Sequence, residues 1–92
     1  MFHIFGFYKF KDLTKLSSFK EKFSNIFKLN SIRGTIIVTK EGLNGTISGK
    51  PQNINTVIKG LKSFYRFKKF DSENRSHCSF QPFKKGKIKI KK

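Results

Sequence analysis

The side chains best suited to catalysis are few in this sequence. His77 and Cys78 form the only histidine–cysteine neighbours in the chain. A nucleophilic cysteine needs a base within reach and a cationic setting that lowers the pKa of its thiol. Neighbouring side chains of an extended segment point to opposite sides, so adjacency alone does not create a catalytic pair. We therefore interpret Cys78 as structural or incidental, and we predict no catalytic residue in this chain.

The same scarcity argues against a metal or cofactor site. One cysteine, two histidines and five scattered acidic residues do not supply three or four ligands at a suitable spacing. His3 lies in an apolar segment and is interpreted as a packed side chain. Gly42 and Gly45 do not belong to a phosphate-binding loop, because no GK[ST] or GxGxxG pattern leads into a helix. We expect no metal and no cofactor in this domain.

Residues suited to binding a polyanion are concentrated towards the end of the sequence. From 85 to 91, lysine alternates with glycine or isoleucine, which predicts a half-buried strand with a cationic outer row. Such a row can contact RNA phosphates, or it can simply keep an edge strand from pairing with another chain. We favour RNA contact. The candidate residues are Arg33, Lys40, Lys84, Lys85, Lys87, Lys89 and Lys91.

The overall charge agrees with this hypothesis. The 92 residues include 21 lysines and arginines but only five acidic residues, which gives a formal net charge of +16. A positive potential of this kind attracts RNA or DNA. Part of the lysine content is what an AT-rich genome encodes in any protein. The rest favours a nucleic acid over an acidic protein or a membrane surface as the partner.

Composition also bounds the location and the mode of binding. No apolar run approaches the ~18–20 residues that a membrane span needs, and the first ten residues do not read as a signal peptide. A single cysteine fits a reducing compartment, so we predict a cytoplasmic protein with no membrane partner.

Most of the 12 phenylalanines are needed for a core, so few are available to stack on bases. No RNP-type aromatic pattern is visible on the predicted central strands, so ordinary RRM recognition is not expected.

The elements that must position these residues follow from hydrophobic periodicity. Residues 1–10 have apolar groups on both faces and predict a central strand covered on both sides. Asp12 is a plausible N-cap for a helix that ends near Leu29, with Asn30 as a left-handed C-cap. Residues 33–39 and 46–48 predict the arms of a hairpin whose turn is 40–45.

The second half of the chain repeats this alternation. Pro51 suits the first turn of a second helix, whose apolar stripe runs from Ile54 to Tyr65. Residues 67–70 are a possible short strand, and 71–82 are interpreted as a loop before the lysine-rich strand. The pattern predicts one α+β domain over 1–92. Its fold is a ferredoxin-like (acylphosphatase-like) βαββαβ sandwich with an antiparallel sheet and two helices on one face.

A family resemblance rests on the stretch RGTIIVTKEGLNGTISG, from Arg33 to Gly49. Together with Tyr8-Lys9-Phe10, the helix INTVIKGLKSF and the final PFKKGKIKIKK, it resembles the N-terminal domain of the rhodanese-like tRNA uridine 5-hydroxylases. The family signature is roughly G-T-hydrophobic-hydrophobic-x-x-x-E-G-[IL]-N-G-T-[IV]-[AS]-G. In this chain its turn residues are Glu41, Gly42, Asn44 and Gly45.

The resemblance implies a role in tRNA modification. Members of the family are implied to use oxygen in converting the wobble uridine of certain tRNAs to 5-hydroxyuridine. The expected role of this domain is to bind or position tRNA and to pack on the rhodanese-like domain of the same full-length protein. The hairpin itself is expected to be mainly architectural, with Glu41 and Asn44 holding the turn or facing that second domain.

Three departures from the family pattern limit this expectation. Lys50 replaces a small capping residue, the final strand lacks its usual acidic and aliphatic continuation, and the rhodanese-like catalytic domain is absent from this chain. Cys78 precedes that domain and cannot replace the cysteine that it carries. We therefore expect an excised domain or a fragment, without hydroxylase activity of its own.

Two other functions remain open. One is a purely structural role, in which the domain packs on the missing rhodanese-like domain without touching RNA. An acylphosphatase is less well supported: Asn44 matches the hairpin asparagine of such enzymes, but residues 9–12 contain no arginine and no glycine-rich phosphate cradle.

Overall fold

Alternating apolar residues bury one face of the sheet against two helices. The computed structural model describes residues 1–91. Its elements are β1 (Phe2–Phe10), α1 (Leu16–Leu29), β2 (Arg33–Thr39), β3 (Gly42–Gly49), α2 (Pro51–Phe64), β4 (Ser72–Cys78) and β5 (Gly86–Ile90). The core between sheet and helices includes Phe5, Ile36 and Ile47 from the strands and Phe23 and Leu61 from the helices.

The sheet has the strand order β4-β1-β3-β2-β5. Strands β1 to β4 pair antiparallel in the ferredoxin-like order, which confirms the predicted α+β fold class. The sequence predicted the lysine-rich strand, which is β5, but as the fourth and last strand of an antiparallel sheet. It pairs parallel to β2 at the outer edge, so the sheet is mixed and not purely antiparallel.

The fourth strand lies in the segment that the sequence analysis interpreted as a loop. Ser72–Cys78 pairs with β1 along its length, from Tyr8 opposite Ser72 to Phe2 opposite Cys78. Its residues are polar and almost all exposed, because an edge strand is held by backbone hydrogen bonds and need not bury alternate side chains. The loop interpretation of 71–82 was therefore wrong for 72–78.

The segment 67–70 is not a strand, contrary to the other expectation for this region. It is irregular, and Phe70 packs its ring against those of Phe5 and Phe7, with ring centroids 5.4 and 5.1 Å apart. Its aromatic content reflects this packing into the core and not pairing with the sheet.

The lysine-rich strand forms as predicted but occupies a different place. Ile88 is buried and Ile90 half-buried, while the lysines of this strand are exposed. Residues 79–85 carry the chain from β4 at one edge of the sheet to β5 at the other. At this crossing, the Arg33 guanidinium donates a hydrogen bond to the Phe83 carbonyl (3.3 Å), and the Ser48 hydroxyl contacts the Gln81 side chain.

Both ends of α1 differ from the predicted caps. The helix begins at Leu16 after Lys15, whose φ is 54°, so Asp12 is not its N-cap. The amides of Lys11 and Leu13 bind the carbonyls of Glu41 and Lys40, which holds this stretch against the hairpin instead.

At the other end of the helix, Asn30 follows Leu29 as expected, but its φ is −111°. The neighbouring Ser31 takes the left-handed conformation, with φ 51°. The prediction of a left-handed Asn30 was therefore wrong by one residue.

The hairpin turn is shorter than predicted. Thr39 pairs directly with Gly42, so only Lys40 and Glu41 lie outside the strands and the segment 42–45 belongs to β3. A Cβ at Gly42 would collide with the carbonyl oxygen of Lys9 on β1. The glycine is therefore explained by the close approach of two strands and not by the turn.

The Tyr8–Phe10 end of strand β1 is covered on one face only. Phe5 and Phe7 are buried on the helix face, but Tyr8 is 47% and Phe10 68% exposed on the other. The expectation that helices or loops cover both faces was therefore wrong at this end of the strand. The second helix begins at Pro51 as predicted.

At the end of α2, the Tyr65 hydroxyl donates to the Thr14 carbonyl (3.0 Å), and burial raises the pKa of Tyr65 to about 12.

Among residues 1–91, no helix has the length and apolar character needed to cross a membrane.

Candidate nucleic-acid interface

A groove runs between α1 and β5. Parallel pairing on β2 places β5 beside the helix, and the buried side chains of Phe27, Ile32 and Ile88 join the two elements. The groove has a volume of about 810 Å³. Its lining combines apolar side chains with long basic ones.

The lining of this groove is strongly cationic. It contains eight lysines and arginines and no aspartate or glutamate. These are Lys20, Lys28, Arg33, Lys84, Lys85, Lys87, Lys89 and Lys91. Like charges at this density create a strongly positive potential along the groove.

The structure brings together most of the residues that the sequence analysis selected. All of them line the groove except Lys40. Lys40 lies beyond its end, in a depression shared with Glu41, Leu16 and Lys91.

Two groove residues were missed, Lys20 and Lys28 of α1. With Ser24 they follow one another at four-residue steps, which places them on a single helix face. This signal was available in the sequence. The sequence does not show that this face of α1 lies beside β5.

The acidic residues of the sheet edges lie elsewhere. Asp71 and Glu73 belong to or flank β4, at the opposite edge of the sheet from β5. Asp71 accepts a hydrogen bond from the Phe10 amide (2.6 Å) and lies 3.9 Å from the Lys9 ammonium. Positive charge is therefore less compensated at the β5 edge of the sheet than at the β4 edge.

A second feature is the face of the sheet opposite the helices. Two rows of paired residues cross all five strands there, and each row ends in a lysine of β5. In strand order from β4 to β5, one row is Asn74, Gly6, Thr46, Thr35 and Lys87, and the other is Ser72, Tyr8, Asn44, Ile37 and Lys89. The residues of these rows on β4, β1, β3 and β2 line a trough of about 480 Å³, to which Phe83 of the crossing segment also contributes. Lys87 and Lys89 lie beside it as the partners of Thr35 and Ile37.

Only the second half of the family-motif turn, Asn44 and Gly45, lines the trough. Asn44 points into the trough as the cross-strand partner of Tyr8 and Ile37. Glu41 is exposed in the turn, where its amide binds the Thr39 hydroxyl (3.0 Å). The backbone of Glu41 holds the turn, whereas the side chain of Asn44 is directed to the open face.

The side chains considered for catalysis or metal binding take part in local contacts. Arg75 Nε donates to His3 Nδ1 (2.8 Å). Partial burial, followed by the positive charges of Arg75, His77 and the N-terminus, lowers the pKa of His3. The Cys78 thiol donates to the Phe80 carbonyl (2.8 Å). Within the part of the chain that the structure describes, no three His, Cys, Asp or Glu side chains cluster as metal ligands would.

Comparison with known proteins agrees with this architecture. The sequence pattern of the UPF0176 acylphosphatase like domain matches residues 2–92. The chain belongs to this family. It corresponds to the N-terminal domain of proteins named tRNA uridine(34) hydroxylase.

Sequence relatives of the UPF0176 domain are bacterial. The chain is 52% identical over 92 residues to the tRNA uridine(34) hydroxylase of Pelagibacter ubique, covering all of this chain and 31% of that protein. It is 33% identical over 91 residues to the enzyme of the same name from Wolbachia pipientis, covering 99% of this chain and 33% of that protein. The chain thus spans about a third of the length of these relatives.

Solved structures share the fold of this UPF0176 domain at low sequence identity. Klebsiella pneumoniae BlrP1, in a calcium and cyclic di-GMP complex, is 15% identical with a TM-score of 0.72, over 98% of this chain and 24% of that one. Full-length HypF is 16% identical with a TM-score of 0.65, over 100% of this chain and 12% of that one.

Proposed function

We propose that this domain binds tRNA and positions it within a tRNA uridine(34) hydroxylase. The observation that carries the proposal is the groove between α1 and β5, with its eight basic and no acidic lining residues. The names of the relatives supply the substrate class. We assign the hydroxylation chemistry to the rest of the full-length protein, which by family resemblance is a rhodanese-like domain. We expect this domain to need no cofactor and to act in the cytoplasm.

The spacing of charges suits a phosphate backbone. Lys87 and Lys89 lie on the same face of β5, two residues apart and therefore about 6–7 Å apart along the strand. Lys20 and Lys28 on α1 provide a second line of charge across the groove. Lysines act as point charges without bidentate geometry, so such a site holds the backbone and leaves base selection to other contacts.

Salt titration of tRNA binding tests this proposal. Lys87→Ser/Lys89→Ser removes two groove charges, and Lys68→Ser/Lys69→Ser removes two exposed lysines between α2 and β4. Wild-type affinity should fall steeply with salt, because bound lysines release counterions from RNA. The groove variant should bind more weakly and reduce the slope of log affinity against log salt by about two. The control should keep nearly the wild-type slope.

Equal effects of the two variants would show that net charge alone drives binding and would contradict the groove. No affinity for tRNA at low salt would contradict the function and favour the structural alternative. Backbone amide NMR shifts during the titration locate the contact. Shifts at 20–28 and 84–91 are expected.

A further inference from the structure

The trough on the open face of the sheet has the chemistry of a nucleobase site. Most of its side chains are neutral hydrogen-bonding groups: Asn44 and Asn74 contribute amides, and Thr35, Thr46 and Ser72 contribute hydroxyls. Within residues 1–91, no protein hydrogen bond uses the side chains of Asn44, Asn74 or Thr46. Their donors and acceptors are therefore available to a ligand.

An aromatic surface borders the trough. The rings of Tyr8 and Phe10 stack on one another with centroids 5.1 Å apart, and both side chains are exposed. Leaving large aromatic side chains exposed forgoes the favourable free energy that their burial would contribute to folding. Sequence-specific RNA recognition stacks unpaired bases on such rings and reads base edges through nearby polar groups.

Glycine shapes the floor beside this ring. Along β1, the residues on the open face are Ile4, Gly6 and Tyr8. Because Gly6 has no side chain, a gap lies between the side chains of Ile4 and Tyr8. A Cβ at Gly6 would lie 3.3 Å from Asn74 Oδ1, which shows that the Asn74 amide extends towards this gap. The result is a depression with a ring on one side and an amide on another. Its volume, about 480 Å³, lies in the ~300–1,000 Å³ range of ligand sites.

The trough adjoins the lysines of β5, the strand that borders the cationic groove. Both of its residue rows end in a lysine of β5, Lys87 or Lys89, and these two lysines also line the groove. Three strand spacings, about 14 Å in total, separate β5 from β1. A short extended RNA segment can therefore place a phosphate on β5 and a base beside Tyr8.

We propose that this trough binds an unpaired nucleotide of the RNA whose backbone lies on β5. The base stacks on Tyr8, and its edge meets the side chains of Asn44, Asn74 and Thr46. The inference rests on the proposed function, since the lysines of β5 must first hold the phosphates. The trough would contact bases, whereas the groove contacts only phosphates.

Three RNA ligands of equal length distinguish base binding in the trough from phosphate binding along the groove. They are single-stranded oligouridylate, its abasic analogue and a blunt duplex. The abasic strand keeps the phosphates and loses the bases. Wild-type protein should bind oligouridylate about tenfold more tightly than the abasic strand, because one stacked base contributes that much. Tyr8→Ala should abolish this preference while leaving affinity for the abasic strand unchanged. Phe80→Ala, which removes another exposed aromatic outside the trough, should retain it.

The outcomes distinguish both proposals. Equal affinity for all three ligands, with steep salt dependence, would overturn the trough and leave the proposed function standing. No binding of any ligand at low salt would overturn both. The side-chain amide signals of Asn44 and Asn74 give a readout that needs no variant: they should shift with oligouridylate and stay in place with the abasic strand.

Discussion

Gly34 lies where β2 enters the sheet, and its backbone has a conformation that other residues oppose. Its φ is 103°, and a Cβ there would collide with the carbonyl oxygen of Thr46 on β3. The same residue pairs with Gly86 of β5, and its amide binds the Lys85 carbonyl (2.8 Å). One glycine thus permits the contact of three strands at the point where the lysine strand begins.

Replacing this glycine should therefore destabilise the fold. We expect Gly34→Ala to lower the free energy of unfolding by about 2–3 kcal/mol, because the substitution combines a strained φ with a backbone collision. Urea denaturation measures the effect. Gly6→Ala is the matched control, since its Cβ meets only the movable side chain of Asn74. Its cost should stay below about 1 kcal/mol. Equal losses in the two variants would contradict the assigned strain.

At the level of elements, β5 is an edge strand that packs against α1. It pairs with one strand only, and Ile88 is its one fully buried side chain. Ile88 packs into the core below the groove, while its neighbours Lys87 and Lys89 are exposed. Ile88 is therefore the main apolar anchor of the cationic row, and the half-buried Ile90 packs beside it.

Truncating that anchor should affect stability and binding together. Ile88→Ala should cost about 2–4 kcal/mol of unfolding free energy, through lost burial and the cavity left behind. It should also weaken tRNA binding although no charge is removed. Denaturation and titration of one preparation at low temperature measure both. Ile90→Ala, at a half-buried site, should cost less. Full tRNA affinity in a destabilised Ile88→Ala would show that β5 does not fix the lysines.

The elements also show which parts of the structure are readable from the sequence. The helices and the inner strands have apolar residues at the expected period, and the predicted α+β fold followed from them. Strand β4 has no such period, because as an exposed edge it buries almost no side chain. The parallel pairing of β5 with β2 likewise produces no pattern in the local sequence. Six of the proposed phosphate contacts could be selected from sequence, whereas Lys20 and Lys28 join them only through tertiary packing.

Over the whole molecule, positive charge is poorly compensated. The net charge is +16, and the structure pairs only Lys9 with Asp71 as a salt bridge within residues 1–91. Self-repulsion of this size opposes the compact state. The charge that we assign to RNA binding is thus maintained at the expense of the free domain's stability.

Salt should consequently have opposite effects on folding and on RNA binding. Raising sodium chloride from low to moderate concentration should increase the Tm of the free domain by on the order of 5 °C, since screening relieves the repulsion. The same change should weaken tRNA binding. Calorimetric scans across a salt series test this. The control Lys68→Glu/Lys69→Glu, with two charges reversed, should gain less from salt. A Tm that falls with added salt would contradict the argument.

The crossing segment 79–85 has a consequence for biosynthesis. Both outermost strands, β4 and β5, come from residues 72–90, whereas the inner strands come from residues 2–49. A nascent chain therefore completes the apolar centre of the sheet while both of its edges still expose unpaired backbone groups. Such edges are templates for aggregation. The polar β4 and the lysine-rich β5 then cover them, so the last-made strands act as the domain's own protection against intermolecular pairing.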